Sequence, residues 1–462
     1  MKPVNLVFWS RTLCALLLLA ALSLPHAGPV PLGSLPALAD DNDNDGGDND
    51  GGDNDNGGGD DGGGGDDGDD DDGEDGDDDD GDDDDGEDGD EEPDLGDDTA
   101  AGDTGRDFER SEIVAYGVPS RSRRVLQGLG FTPIDAAPLS SFAGTIERYR
   151  IPAWLDETDA LRIASERVPD ARFDLNTLYR LRSTEPCDGR CAAEAHLQWD
   201  EAASSCTAET RIGMIDTRVD RGHRFLSSAA LTLRTFRGSG RKPSPRAHGT
   251  AVASLLVGTD SGASVGLLPQ ATLYAADAFH FRRGGSRADT LDLVRALDWL
   301  VEQQVDVINM SFSGAANGLF EFAIAKTAER GISLVGAAGD HGEEPGLGYP
   351  AAYPQVIAVT AVDNRLRPYR AAARGPQVAF AAPGVNLLLA APGGGTKPRT
   401  GTSFAAPFVS AALALLRSEG AVAAEAGTEL LKRSARDLGP PGRDPVFGWG
   451  LLRLPASLNC RG

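Results

Sequence analysis

Short apolar runs alternate with amphipathic stretches through the second half of the chain. The runs have the length of strands and lie at residues 212–215, 273–276, 305–310, 332–338 and 356–362. Between them, Leu291, Val294, Leu297 and Leu300 recur on one helical face, and a second helical stretch covers residues 319–330. Buried strands that are separated by helices are typical of a sheet covered on both faces. The pattern therefore predicts an α/β fold with a doubly wound, mostly parallel sheet.

Residues 106–182 have shorter apolar segments than the rest of the chain. Alternating apolar positions predict strands at 113–116, 146–151 and 173–178, and helices at 121–129 and 157–168. Short strands that flank two helices predict a small, compact α+β unit ahead of the larger domain. We therefore expect one domain over residues 106–182 and a second over residues 183–462.

The first 39 residues have the order of a secretory signal peptide. Lys2 and Arg11 precede an apolar run over 13–24, Pro25 ends this run, and the small residues 37–39 offer a cleavage site. A membrane anchor is the alternative, but a helix of this length extends about 18 Å, whereas the hydrocarbon core is about 30 Å thick. The sequence thus predicts a secreted or periplasmic protein without a membrane span once the signal is removed.

Negative charge is concentrated in one segment. Between Asp40 and Asp103 lie 35 of the 72 acidic residues and none of the 43 Lys and Arg residues. The rest of the chain has 37 acidic and 43 basic residues, so the net charge of −29 arises from this segment and excludes no partner for the folded part. Asp, Asn and Gly bury too little apolar surface to fold, which predicts a disordered acidic linker over 40–105. Diffuse cation binding is an alternative role, whereas the repeats that ordered calcium sites require are missing.

Four cysteines would remain after signal removal: Cys187, Cys191, Cys206 and Cys460. An even number in an oxidising compartment favours two disulfide bonds, and the sequence leaves their pairing open. A zinc site is the alternative, although the close pair 187 and 191 has no second close pair to complete a tetrahedral set of ligands.

Three polar residues stand where this architecture places chemistry, at the carboxyl ends of strands and the amino ends of helices. Asp216 follows the apolar run 212–215, and His248 opens a His-Gly-Thr stretch that continues into an apolar helix. Ser403 follows Gly401 and precedes an apolar helix predicted at 408–416. A hydroxyl at a helix amino end meets free N–H groups, which suits a nucleophile whose reaction forms an oxyanion.

With these motifs the chain resembles the subtilisin family of serine endopeptidases over residues 211–454. The order Asp, His, Ser and the gaps of 32 and 155 residues agree with that family to within a couple of residues. The resemblance implies that Asp216 orients the imidazole, that His248 is the general base and then the general acid, and that Ser403 is the nucleophile. Arg218 stands where the family commonly has Gly.

The resemblance also implies a substrate-binding edge. The segment Ser311, Phe312, Ser313 and Gly314 follows the run that ends at residue 310 and matches the edge that pairs with extended substrate. Such main-chain pairing gives affinity without dictating the substrate sequence. The implied partners are therefore protein or peptide substrates, with no nucleic acid. No cofactor is implied; the family often holds structural calcium, but no loop motif here names its ligands.

One position departs from the family pattern. The Asn that donates its side-chain amide to the oxyanion is replaced by Asp340. An ionised carboxylate donates nothing and repels the oxyanion, which should cost about 10²- to 10³-fold in rate, whereas a protonated carboxyl group donates one hydrogen bond. Two hypotheses follow: an active endopeptidase, favoured by acid, or a catalytically impaired homologue that binds peptides or regulates a partner.

The unit over 106–182 resembles the ferredoxin-like inhibitory propeptide that precedes subtilisin-type domains. The resemblance implies an intramolecular inhibitor that covers the peptidase until self-cleavage between residues 179 and 199. A small substrate-binding or linker domain is the alternative, since this topology serves many roles.

Overall fold

The structure, a computed structural model, describes residues 108–181, 197, 199, 210–260, 263–264, 266–282, 285–342, 346–418 and 423–456. The predicted signal peptide, the acidic linker and all five cysteines lie outside these residues.

The unit over 106–182 contains four strands and two helices, in the order β-α-β-β-α-β. In chain order these are β1 (Phe108–Tyr116), α1 (Ser120–Gly128), β2 (Thr132–Leu139), β3 (Gly144–Arg150), α2 (Glu157–Arg167) and β4 (Arg172–Arg180). The strands form an antiparallel sheet in the order β4-β1-β3-β2. Both helices pack on one side of this sheet around Ile113, Leu126 and Tyr149, which are buried. This connectivity is that of a ferredoxin-like unit.

The larger part of the chain is built on seven parallel strands. They are β5 (Arg211–Asp216), β6 (Leu231–Thr235), β9 (Thr272–Asp277), β12 (Val307–Met310), β14 (Ser333–Ala337), β15 (Val356–Val362) and β16 (Val378–Pro383). Their order across the sheet is β16-β15-β14-β12-β5-β9-β6, and every neighbouring pair is parallel. The strand order reverses between β5 and β12, and such a switch point is where open α/β sheets bind ligands.

Helices cover both faces of this sheet, as the apolar pattern predicts. The helices α3 (Ala247–Val257) and α6 (Thr402–Ser418) pack on one face, and α4 (Thr290–Glu302) and α5 (Gly318–Ala328) on the other. A last helix, α7 (Ala424–Ser434), packs against α6. The α/β architecture predicted from the sequence is confirmed.

Short strands complete the described structure. The pair β7 (Thr259–Asp260) and β8 (Ala263–Ser264) and the pair β17 (Leu387–Ala391) and β18 (Gly395–Arg399) form two-stranded sheets. The strands β10 (His280–Arg282), β11 (Gly285–Asp289) and β13 (Ser313–Gly314) instead extend the sheet of the small unit, because β11 and β13 both pair with β4. One hydrogen-bonded sheet therefore runs across the boundary between the two parts of the chain.

The helix predicted at 408–416 begins six residues earlier, at Thr402. Pro407 lies inside it and made the preceding residues look non-helical. Within the described residues, no helix is both long and apolar enough to cross a bilayer.

Candidate active site

Asp216 and His248 are in direct contact. Asp216 is the last residue of β5 and is fully buried, and His248 is the second residue of α3. The imidazole Nδ1 lies 2.8 Å from Asp216 Oδ1 and 3.0 Å from Oδ2. The main-chain N–H of Thr217 donates to the same Oδ1 at 2.7 Å, which fixes the carboxylate plane. The carboxylate is thus placed to hold the proton on Nδ1 and leave Nε2 as the basic nitrogen.

The His-Gly-Thr stretch has a packing reason. A Cβ on Gly249 would lie 2.4 Å from the main-chain oxygen of Thr217, so only glycine lets α3 approach the end of β5 this closely. Gly249 N donates to Thr217 Oγ1 at 2.9 Å, and Asp220 N donates to Thr250 Oγ1 at 2.8 Å. These bonds join the turn after β5 to the first turn of α3.

Ser403 is the second residue of α6 and is almost fully buried. Its hydroxyl donates to the main-chain oxygen of Ser311 at 3.1 Å, and its own main-chain oxygen accepts from Ser311 Oγ at 2.6 Å. The preceding Gly401 has a φ of 151°, which favours glycine and lets the chain turn sharply into the helix.

The imidazole ring of His248 lies close to this helix. The ring of Phe404, next to Ser403, stands 5.2 Å from the imidazole between centroids. His248 Nε2 is buried and has no hydrogen-bond partner within the described part of the chain. The structure thus brings Asp216 and His248 together directly and places Ser403 in the adjacent helix turn.

Asp340, which the sequence analysis expects at the oxyanion position, lies beside Ser403. Its Oδ1 accepts from the main-chain N–H of Thr402 at 3.0 Å, and the side chain is 6% exposed. Gly339, with a φ of 104°, donates its N–H to Thr402 Oγ1 at 3.1 Å. Asp340 and Ser403 line one cleft, together with Phe312, Ser313, Ala337, Gly339 and Thr402.

The predicted substrate edge divides into two pairs of residues. Ser313 and Gly314 form β13, whose Cα partners on β4 are Arg180 and Tyr179. Phe312 is buried among aromatic rings, and the Ser311 hydroxyl is bound to Ser403. In this structure β4 pairs with the main chain of β13.

The sequence analysis missed one buried carboxylate near this site, Asp277 at the end of β9. Burial raises the pKa of Asp277 to about 6, although Thr235 and Arg237 act to lower it. The signal was present, because Asp277 follows an apolar strand as Asp216 does. No cluster of three or more His, Cys, Asp or Glu side chains that could bind a metal occurs in the described ranges.

Comparison with known families gives one match that spans most of the larger domain. Residues 207–450 match the subtilase family of peptidases. This region contains the Asp216–His248 contact, Ser403 and Asp340.

Individual relatives agree. The chain is 32% identical over 214 residues to the minor extracellular protease Epr of Bacillus subtilis, covering 45% of this chain and 32% of that protein. It is 30% identical over 259 residues to subtilisin DY of Bacillus licheniformis, covering 54% of this chain and 91% of that protein. The chain thus spans about a third of the first relative and nearly all of the second.

A solved structure resembles an even larger share of the chain. Fervidolysin of Fervidobacterium pennivorans, a keratinolytic enzyme related to subtilisin, superposes with a TM-score of 0.65 at 19% identity. The match covers 75% of this chain and 60% of fervidolysin, which is more than residues 207–450 alone account for. At this identity the likeness concerns the fold.

Proposed function

The chain belongs to the subtilase family of serine peptidases, and we propose that it is an exported endopeptidase that cuts proteins through an acyl-enzyme on Ser403. The observation that carries this proposal is the contact of His248 Nδ1 with both oxygens of Asp216, at 2.8 and 3.0 Å. An imidazole held in this way can keep its second nitrogen free of a proton, which suits it to take the proton of the neighbouring serine.

The proposed reaction is acyl transfer in two stages. Ser403 Oγ attacks the scissile carbonyl while His248 Nε2 takes the hydroxyl proton, and the imidazolium then gives this proton to the leaving amine. In the second stage, water attacks the acyl-enzyme, His248 Nε2 takes a proton from the water, and the released Ser403 oxygen regains it. Asp216 stays ionised throughout and stabilises the imidazolium.

Asp340 sets the rate in this proposal. The main-chain N–H groups of the first turn of α6 can meet the oxyanion, but the side chain beside them is a carboxyl group. Because Asp340 Oδ1 already accepts from Thr402 N, the second oxygen must carry a proton if it is to donate to the oxyanion. The enzyme is therefore favoured by acid. The second candidate function is that of a peptide-binding or regulatory homologue. It follows if Asp340 stays ionised, because the carboxylate then repels the oxyanion.

The unit over 106–182 acts in this proposal as an intramolecular inhibitor. Leu178, Tyr179 and Arg180 of β4 lie between β11 and β13 and are antiparallel to both, which is how an extended substrate would bind. The ring of Tyr179 covers Gly314, where a Cβ would lie 2.6 Å from it, and packs edge-on against Phe312 with 5.9 Å between centroids.

The contact between the two parts extends well beyond the cleft. Asp174 accepts from the first N–H of α5, Gly318, and Asn317 Nδ2 donates to Leu175 O at 2.8 Å. On the other side, Asp298 of α4 accepts from the N–H groups of Ser140 and Ser141 at 3.1 and 2.6 Å. The small unit thus caps the amino end of α5 and binds α4. Both contacts would hold an inhibitor in place.

The register of β4 supports self-cleavage after this strand. Arg180 is the Cα partner of Ser313, close to the end of the described part of the small unit. The main-chain oxygen of Ser311, two residues before Ser313, is the group that Ser403 Oγ contacts. We therefore propose that the chain is cut between residues 179 and 199, the interval expected from the sequence.

The remaining features fit an exported enzyme. The order of residues 1–39 supports secretion to the periplasm or the cell exterior, and Epr, a relative of this chain, is an extracellular protease. In this proposal the acidic segment over 40–105 is a solvated spacer, the four later cysteines form two disulfides, and export precedes the release of activity.

Labelling with a fluorophosphonate probe tests the function directly, because only an activated serine reacts. We expect the full chain to be labelled after self-cleavage, and the Ser403→Ala chain not to be labelled. Ser333→Ala, which alters another buried serine, is the matched control and should be labelled normally. Equal inertness of the wild-type and Ser403→Ala chains towards probe and unfolded protein at every pH would instead support the peptide-binding alternative.

A further inference from the structure

A second carboxylate ends the strand beside the one that carries Asp216. The strands β5 and β9 are parallel and in register, so Asp216 and Asp277 are Cα partners at the carboxyl edge of the sheet. The N–H of Ala278 donates to Asp216 O at 3.2 Å, which couples the two strand ends. Asp277 is 7% exposed, and the acyl-transfer steps do not use it. A buried carboxylate is costly unless partners compensate it, so its contacts indicate its role.

Groups from three neighbouring segments face Asp277. Thr235 Oγ1, at the end of β6, donates to Oδ2 at 3.1 Å, and Arg237 Nε lies 3.9 Å from the same oxygen. Ser244 Oγ, ahead of α3, lies 3.5 Å from Oδ1, and the Arg218 charge acts from the turn after β5. These four groups all favour the ionised form of Asp277. The carboxylate of Asp216, on the adjacent strand, opposes it.

Two of these partners join the surroundings of Asp216 to those of His248. Arg218 Nε donates to Ser244 O at 2.6 Å, and Arg218 N donates to Ser244 Oγ at 3.2 Å. Arg218 lies two residues after Asp216, and Ser244 lies four residues before His248. The two bonds therefore tie together the segments that carry the two interacting side chains.

We propose that Asp277 is a positioning residue for the Asp216–His248 pair and acts through Ser244 and Arg218. A serine hydroxyl has one hydrogen, and when Ser244 gives it to Asp277 the lone pairs of Oγ face the N–H of Arg218. The negative charge of Asp277 also holds the guanidinium of Arg218 near Ser244 O. In this proposal Arg218, which stands where the family commonly has Gly, links Ser244 to the turn after Asp216.

Protonation of Asp277 removes the charge that holds the cluster. Because the pKa of Asp277 is raised to about 6, the cluster is intact above that pH and loosens as pH falls through it. Protonation of Asp277 therefore lowers kcat as pH falls, in addition to protonation of the general base and in opposition to the gain from protonation of Asp340.

The first test does not depend on activity. The readout is the far-downfield NMR resonance of the proton shared by His248 Nδ1 and Asp216, recorded on the full Ser403→Ala chain. We expect it to be sharp in Ser403→Ala and broadened or lost when Asp277→Asn is added, with the circular dichroism spectrum unchanged. An unchanged resonance in the double variant would overturn the proposal. This readout stands even if the proposed peptidase function fails.

The second test uses the kinetics of the self-cleaved chain and rests on the proposed function. Asp277→Asn should lower kcat by about 10- to 100-fold, as expected for a misplaced catalytic group, while KM changes by less than about twofold. A merely structural loss would lower the active fraction without reshaping the pH profile. Wild-type kcat should show the loss caused by protonation of Asp277, and the Asp277→Asn variant should lack it.

A third variant covers the case in which Asp277→Asn does not fold. Thr235→Val removes a donor to the ionised carboxylate and leaves the bonds of Arg218 to Ser244 in place. The plateau of kcat at alkaline pH should stay unchanged, and the acid limb should move to higher pH because the ionised form is less stabilised. An acid limb that does not move would overturn the proposal.

Discussion

The main-chain oxygen of Ser403 accepts a hydrogen bond from Ser311 Oγ at 2.6 Å, and Pro407 is the reason that it needs one. Proline has no N–H, so the helical donor four residues after Ser403 is missing. Ser311 replaces this donor, and Asn309 Nδ2 in turn donates to Ser311 Oγ at 2.9 Å. The strand end at residues 309–311 thus holds the first turn of α6, on which Ser403 lies.

Ser311→Ala should damage both stability and catalysis. It leaves the buried Ser403 oxygen without this donor, at a cost of about 1–3 kcal/mol in the free energy of unfolding. We also expect kcat to fall at least about tenfold, because the nucleophile loses its support. Urea unfolding of Ser403→Ala chains gives the first value, and kcat of otherwise wild-type chains gives the second.

The matched control for this prediction is Ser333→Ala. Ser333 is also a buried serine of the central sheet, but its hydroxyl has no hydrogen-bond partner among the described residues. Its removal should change stability and kcat little. Equal effects of the two substitutions would show that the hydroxyl of Ser311 has no special role.

Asp340→Asn should accelerate the enzyme at neutral and alkaline pH. An amide donates to the oxyanion without needing a proton, and one such donor is worth about 10²- to 10³-fold in kcat. The advantage over wild type should shrink as pH falls and the wild-type carboxyl group gains its proton. Profiles of kcat against pH for the two proteins check this, and parallel profiles would contradict a proton-dependent Asp340.

Arg148→Met should loosen the small unit from the peptidase domain. Arg148, on β3, lies 3.2 Å from Asp289, which is fully buried at the start of α4 and also lies 2.5 Å from Arg241. Burial opposes ionisation here, but Arg241 and Arg148 overcome it and hold the pKa of Asp289 below its usual range. An unpaired buried charge costs about 3–5 kcal/mol, and because Arg241 still pairs with Asp289, the loss of Arg148 should cost less than this but more than the loss of an exposed pair.

Urea unfolding of the uncleaved Ser403→Ala chain measures this loss. Arg121→Met is the control, since Arg121 pairs with Asp170 on the surface, where both side chains are largely exposed. The exposed pair should contribute less than about 1 kcal/mol. A similar loss for both variants would contradict a role of the buried pair in holding the small unit.

His280 should make the fold sensitive to acid. Burial, followed by the charge of Arg241, lowers the pKa of His280 to about 4, whereas an unfolded His titrates near 6.5. Between these values the unfolded chain binds a proton that the folded chain does not, so stability falls by about 3 kcal/mol as pH drops through the window. Asp277, whose pKa is raised to about 6, opposes this trend below pH 6, because there the folded chain binds the extra proton.

The difference between two proteins isolates the contribution of His280. We expect His280→Gln in the Ser403→Ala chain to lose about 3 kcal/mol less than its parent between about pH 7 and pH 4. Urea unfolding across this range gives both curves, and parallel curves would mean that His280 titrates alike in the folded and unfolded chains.

The sequence predicted five of the seven strands of the parallel sheet, because their apolar runs are local signals, and it did not predict β6 or β16. It missed strands whose pairing is decided elsewhere. β2 contains Pro133 and Pro138, which is tolerated because β2 is an edge strand and can spare the missing donors. β6 is also an edge strand and has four of its five residues exposed. β11 is largely polar and is a strand because β4 and β10 pair with it.

The site divides in the same way. Asp216, His248 and Ser403 each lie in a short motif, so their positions could be predicted one at a time. The cluster of Asp277, Ser244 and Arg218 spans sixty residues of sequence and has no motif, because only the register of β5 with β9 brings its members together.

The strand β4 is held between β11 and β13 mainly by its backbone. Residues 178–180 pair with β11 and β13 through main-chain groups. Such pairing is compatible with almost any side chain. Mutations can therefore accumulate in this stretch over evolutionary time without releasing it, with one exception. Tyr179 lies against Gly314 and Phe312, so its position tolerates little variation in side-chain shape. Among relatives we therefore expect an aromatic residue at position 179 and varied residues at positions 178 and 180.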